Sequence, residues 1–190
     1  MSADAFDDRR NALEDQFFKQ QNDAALQKMK DQQARAATKE EIQRLTGISN
    51  PVVLDALSSL KLGGAAVMVM SMFPLVEVAW ADGKVDDKER RIVLQQAENV
   101  GIAQGTEAAL LLAQWLDEKP ELSWHQLWTD YVTELVKKMK PEDRELLKNE
   151  VLGRARIVAE ASGGLLGAGF AVSGAEKKVL EKLEKAFTHA

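Results

Sequence analysis

Apolar positions recur at helical spacing through nearly the whole chain, and no segment alternates apolar with polar residues under a β-branched bias. Over residues 5–37 the apolar positions Phe6, Leu13, Phe17, Leu26 and Met29 sit among Asp, Gln, Lys, Arg and Ala, with neither Gly nor Pro. That stretch predicts one long, weakly amphipathic helix, which must dock by its Phe17/Phe18 end, pair with another chain or stay partly frayed. Thr38-Lys39-Glu40-Glu41 has capping-box spacing and predicts a fresh short helix ending at Gly47. Asn50-Pro51 supplies an N-cap followed by proline at the first helical position, opening a helix to about Leu62. An apolar helix follows from about Ala65 to Ala81, with Pro74 expected to bend it. Beyond it, helices are predicted from Asp86 to Val100 (opened by a second capping-box spacing, Asp86 to Glu89), after Thr106, after Ser123 (a third, Ser123 to Gln126), from Pro141 to about Ala161, and from about Gly174, capped by Ser173, to Thr188. The fold class is all-α.

Two stretches match when superposed. Val78-Ala79-Trp80-Ala81-Asp82-Gly83 corresponds to Val158-Ala159-Glu160-Ala161-Ser162-Gly163, and Val85-Asp86-Asp87-Lys88-Glu89 to Val172-Ser173-Gly174-Ala175-Glu176. Each unit reads as an apolar helix, a turn, and a new helix opened by an N-cap three residues before Glu. Neither hairpin can bury its apolar face alone, so two copies packed together would share one core. The expectation is a compact multi-helix bundle built from two pseudo-repeated helical hairpins. A charged helical N-terminal extension (1–60) would precede a helical domain (61–190).

The segment AWADGKVDDKERRIVLQQAENVGI, residues 79–102, resembles the tellurite-resistance TerB-like domain. Residues 159–187, AEASGGLLGAGFAVSGAEKKVLEKLEKAF, resemble that family's second, related hairpin. The resemblance spans roughly residues 65–188 and is strongest at Ala79–Glu89. It implies a pseudo-twofold helical bundle of a family associated with stress response and tellurite resistance, sometimes near the membrane, with divalent-metal binding proposed and no established enzymatic activity. In the second copy, Ser162 stands where the pattern has an acid, so a two-fold acidic site would be incomplete.

Composition removes several classes. The 190 residues contain no Cys and two His, which excludes a disulfide scaffold, a thiolate metal site, a cysteine nucleophile and a multi-histidine centre. A net charge of −5, from 30 Asp+Glu against 25 Lys+Arg, argues against a nucleic-acid partner. The acidic N-terminus has no apolar h-region, so a cytoplasmic protein is expected, with the inner membrane surface as a second location. The apolar run Gly63–Ala81 carries only Glu77 as a charge and contains Pro74, which favours a buried core helix over a membrane span.

Asp82 to Glu89 reproduces the later half of an EF-hand loop, but its first two ligand positions fall on Val78 and Trp80, so a standard EF-hand is rejected. A weaker site for Ca²⁺ or Mg²⁺ remains open on Asp82, Asp86 and Glu89, helped by Glu77 or Glu160. The simpler reading is that these residues turn the chain and cap a helix. Gly163–Phe170 lacks the Gly-Lys-Ser/Thr of a phosphate loop and follows a helix; its alternatives are a loop over the core or a membrane contact through Leu165, Leu166 and Phe170. Trp115, Trp124 and Trp128 flank His125 and read as aromatic core or as a partner groove. His125 has no carboxylate or nucleophile at recognisable spacing, so no enzyme is expected. These residues point to a non-enzymatic TerB-like interaction or sensing module. Its partner would be a protein engaging the N-terminal helix or the acidic surface, an oligomer of the chain being a further possibility. The alternative is a membrane-peripheral scaffold using the 163–170 loop and the N-terminal helix.

Overall fold

The computed structural model describes the backbone of residues 3–162 and 172–188, and the side chains of residues 20, 21, 23–161 and 172–188. Its elements are α1 (Ala3–Thr46), α2 (Pro51–Ser59), α3 (Ala65–Ala79), α4 (Asp87–Asn99), α5 (Glu107–Asp117), α6 (Leu122–Val136), α7 (Pro141–Ser162) and α8 (Gly174–Thr188), with no strand among the described residues. The all-α multi-helix bundle expected from periodicity is the fold.

The apolar run forms α3, and α3 is the axle of the bundle. It packs against α4, α5, α7 and α8, and more lightly against α2 and α6. Such enclosure explains why it is apolar on every side: Ala66, Val69, Met70, Met72, Phe73, Leu75, Val76 and Val78 are all buried. Met70, Phe73 and Val76 share one core with Val93, Leu112, Trp128, Ala155 and Leu183 from the surrounding helices. Full burial of each large side chain contributes about 1.5–3 kcal/mol. Pro74 lies inside α3 and is itself buried. No helix among the described residues is long and apolar enough to cross a membrane.

The tryptophans belong to this core. Trp115 packs edge-on against Phe73 at 5.6 Å and against Trp124 at 4.7 Å, while Trp128 meets Phe187 at 6.1 Å. Their flanks are therefore spent on packing, and the partner-groove reading of this aromatic cluster gives way to the core reading.

Three helix boundaries differ from the sequence expectation. The helix expected to restart at Thr38 does not, because α1 runs unbroken to Thr46. Thr38 Oγ1 donates back to the Ala34 carbonyl at 3.0 Å, the mid-helix alternative to capping. Ala, Arg, Glu and Leu around it favour continuation, and Ile42 anchors the far end by complete burial. The box at Ser123 also fails to form: Glu121 takes the N-cap position of α6 with no side-chain cap bond, and Ser123 Oγ reaches only Glu121 Oε2 at 3.4 Å. Finally, α2 stops at Ser59, since Lys61 adopts a φ of 58° that no helix accommodates.

The other caps form as the sequence implies. Asn50 Oδ1 accepts from the Val52 and Val53 amides, and Thr106 Oγ1 accepts from Ala109. Among residues 1–60, the described side chains join the bundle at the C-terminal end. Ile42, Ile48, Val53 and Leu57 enter the common core, whereas every described side chain from Gln20 to Ala36 is exposed. α1 packs chiefly on α2. The expected docking of Phe17 and Phe18, and the Gly163–Phe170 loop with Leu165, Leu166 and Phe170, lie outside the residues whose side chains are described.

Candidate functional site

The acidic turn after α3 starts with Trp80, whose indole N–H donates to the Trp115 carbonyl at 2.8 Å and fixes the end of the helix. Gly83 then adopts a φ of 95°, a left-handed conformation that glycine takes without steric cost. Asp82 Oδ1 accepts the Lys84 amide at 3.1 Å, closing the Asp-Gly turn. Asp86 Oδ1 accepts from the Lys88 and Glu89 amides at 2.7 and 2.8 Å, and the Asp86 amide donates to Glu89 Oε2 at 2.8 Å. This is a complete capping box, with both acids committed to the N-terminus of α4.

Glu89 pays for that position with burial at 3% exposure. Desolvation raises its pKa from 4.5 to about 7, opposed by the hydrogen bond from Asp86 and reinforced by the negative charges of Asp86, Asp82 and Glu176. Glu176 occupies the matching position on α8: its amide donates to Ser173 Oγ at 3.2 Å, and the Ser173 amide donates to Glu176 Oε2. It is buried to the same degree. Two buried glutamates, each closing a cap, thus act on one another electrostatically.

The five carboxylates expected around one cation divide among separate tasks. Asp82, Asp86 and Glu89 occupy the turn, as described. Glu77 faces elsewhere, with its carboxylate 2.8 Å from His125 Nδ1 and 4.0 Å from Lys182 Nζ. Glu160 lies on the exposed surface of α7. Among the described residues, no three His, Asp or Glu side chains form a group that could hold a metal ion. The reason lies in the helix geometry. Residue 77 stands five positions before the turn on α3, and its carboxylate points to α6 and α8 rather than along the axis to Asp82.

The Glu77–His125 pair is the feature that sequence spacing could not reveal, since its partners are 48 residues apart. Both side chains are largely buried, and His125 Nε2 lies 3.5 Å from Thr129 Oγ1 one turn further along α6. Lys182 brings α8 to the same carboxylate. One signal was present in the chain: a single carboxylate inside an apolar run must find a cation or donor once buried. Beside the pair, Phe73, Trp80, Lys119, Leu122 and Lys182 line a shallow cavity of about 170 Å³. A hydroxyl, imidazole and carboxylate in this order is the sequence that nucleophilic catalysis uses. Here the hydroxyl contact is at the limit of hydrogen bonding, and the arrangement ties α3, α6 and α8 together.

No protein-family model matches the chain, and neither a curated protein nor a solved structure matches it.

Proposed function

We propose that the protein is a non-enzymatic, TerB-like interaction module in which the helical bundle is a platform and α1 is the arm that engages a protein partner. One observation carries this reading. Over residues 20–36, α1 exposes every described side chain, Leu26 and Met29 included at 52% and 58%, yet remains a continuous helix. A polar helix of this length gains little from solvent alone, and most helices draw their stability from a packed face. The acidic turn and the Glu77–His125–Lys182 cluster support the same reading from the other side, because each is engaged in caps or helix-to-helix contacts.

A photo-crosslinking residue placed at Gln27 of the full chain, and separately at exposed Arg156 on the bundle, tests it in native lysate. Specific adducts from position 27 and background from position 156 are expected. Equal labelling from both positions contradicts the reading.

Calcium or magnesium belongs to this proposal only as a water-mediated guest of Asp82 and Asp86, because direct ligation would compete with the cap hydrogen bonds of α4. Calorimetric titration should then give weak heat that Asp82→Ala abolishes. Absence of heat removes the cation and leaves the interaction arm untouched.

A further inference from the structure

We propose that the crevice between α1 and the end of α2 binds a small phosphorylated polyol, a sugar phosphate in class, independently of any protein that α1 engages. Helix periodicity builds one wall: Asp31, Ala34, Arg35 and Thr38 follow at steps of three, one and three, so they share a face of α1. Ile42 continues that face into the core, and Glu41 on its flank accepts the Gly64 amide at 3.0 Å. Above this anchor, α1 and Ser58, Ser59 and Lys61 from the end of α2 enclose a cavity of about 480 Å³. Small-molecule sites occupy about 300–1,000 Å³. Leu26 and Met29 lie on the opposite side of the helix, so a partner held there leaves the crevice free.

The walls hold two kinds of polar group. Arg35 and Lys61 are exposed cations, and neither has an ion-pair partner among the described residues. Lys39, the next cation along α1, is by contrast paired with Asp55. Two free cations, one of them a guanidinium fork, match the about two negative charges of a phosphate monoester. The other polar groups are acceptors. Thr38 Oγ1 donates its proton to the Ala34 carbonyl at 3.0 Å, Ser58 Oγ to the Asp55 carbonyl at 2.9 Å, and Ser59 Oγ to the Ala56 carbonyl at 2.6 Å. Each hydroxyl has only lone pairs left to offer. Asp31 takes the Gln27 side-chain amide on Oδ1 at 2.9 Å, which leaves Oδ2 as a further acceptor. Acceptors call for donors, and a ligand with hydroxyl groups beside its phosphate supplies them, whereas a dicarboxylate does not. The seven lining residues include one apolar side chain, Ala34, and no aromatic ring on which a base would stack, so a nucleotide fits less well.

The backbone supplies an independent observation. Among the described residues, Lys61 is the one non-glycine with a left-handed conformation, at a φ of 58°. It follows the Leu60 C-cap of α2, a position that glycine usually fills. Gly63, two residues on, takes a similar φ of 55° without a side chain to strain it. A lysine at position 61 costs stability that glycine would not, and the chain keeps it with its side chain on the crevice wall. Backbone strain retained at a residue that lines a cavity is how ligand clamps are built.

Calorimetric titration of the full chain with glucose 6-phosphate, ribose 5-phosphate and glycerol 3-phosphate tests the assignment, with glucose, inorganic phosphate and succinate for comparison. At least one phosphorylated polyol should bind at least about tenfold more tightly than any comparison compound, and salt should weaken it. Arg35→Ala should weaken that binding at least about tenfold. Lys61→Gly should weaken it to the same extent while raising the melting temperature, because glycine takes the same φ without strain, so lost binding is not lost fold. Arg44→Ala, which removes an exposed cation of α1 outside the crevice, should leave binding unchanged. Absence of heat from all three phosphorylated polyols overturns the assignment. Binding that survives both Arg35→Ala and Lys61→Gly, or that Arg44→Ala weakens equally, overturns it as well. Inorganic phosphate or succinate binding as tightly as the best polyol would overturn the role given to the acceptors. None of these failures touches the reading of α1 as a partner arm, which rests on its exposed face.

Discussion

Burying Glu89 at the start of α4 sets two demands against each other. Its carboxylate accepts the Asp86 amide and completes the cap, while desolvation and the nearby charges of Asp86, Asp82 and Glu176 favour its protonated form. A carboxyl whose folded pKa, about 7, lies above its ordinary 4.5 binds its proton more tightly in the folded state. Its contribution to stability is therefore fullest below about pH 4.5 and is lost as pH rises through 7. A shift of that size corresponds to about 3 kcal/mol between the two limits. Glu89→Gln keeps an acceptor for the Asp86 amide but removes the titration, so it should raise the melting temperature at pH 8 and change it little at pH 5. Equal effects at both pH values would show that the charge on Glu89 is not what limits stability. Gly64 makes a different demand: its amide donates to Glu41 Oε2 at 3.0 Å, and an added Cβ would lie 2.9 Å from Glu41 Oε1 and 3.1 Å from Leu45 Cδ1. Gly64→Ala should cost about 1 kcal/mol in chemical denaturation by loosening α1 from the start of α3. An unchanged midpoint would mean that Glu41 simply swings aside.

At the scale of elements, what the sequence made legible was decided by local chemistry. Asn50, Asp86, Thr106 and Ser173 cap the helices they were expected to cap, because an N-cap needs only its own side chain and the next three amides. Thr38 and Ser123 have the same spacing and do not cap. At Thr38 the contacts that decide the matter are remote: Lys39 pairs with Asp55, Glu41 holds Gly64, and Ile42 is buried. The candidate cation site split for a similar reason. Asp82, Asp86 and Glu89 are neighbours in sequence and remain neighbours in space, whereas Glu77 finds its partners 48 and 105 residues away. Continuity of α1 gives an element-scale prediction. Ala37→Gly, at an exposed position of α1, should cost about 1 kcal/mol of local helix stability. Circular dichroism should show lower helicity, while the bundle, monitored by tryptophan fluorescence, melts at its original temperature. A matching fall in both signals would mean that the arm and the bundle fold as one unit.

For the whole molecule, an apolar axle wrapped by the surrounding helices builds one core, and among the described charged residues only Glu89 and Glu176 are buried. The architecture followed from periodicity, and the division of labour between bundle and arm followed from exposure, which no count of residues in α1 could supply. Its central claim is that residues 20–36 form the association surface while the bundle faces stay solvated. Hydrogen exchange compared between the isolated chain and the chain recovered with its bound partner measures this directly. Amides of residues 20–36 should gain protection in the partner-bound chain, while those of α4 to α8 stay unchanged. Protection that appears in the bundle helices instead, with α1 exchanging at the same rate in both, would contradict it.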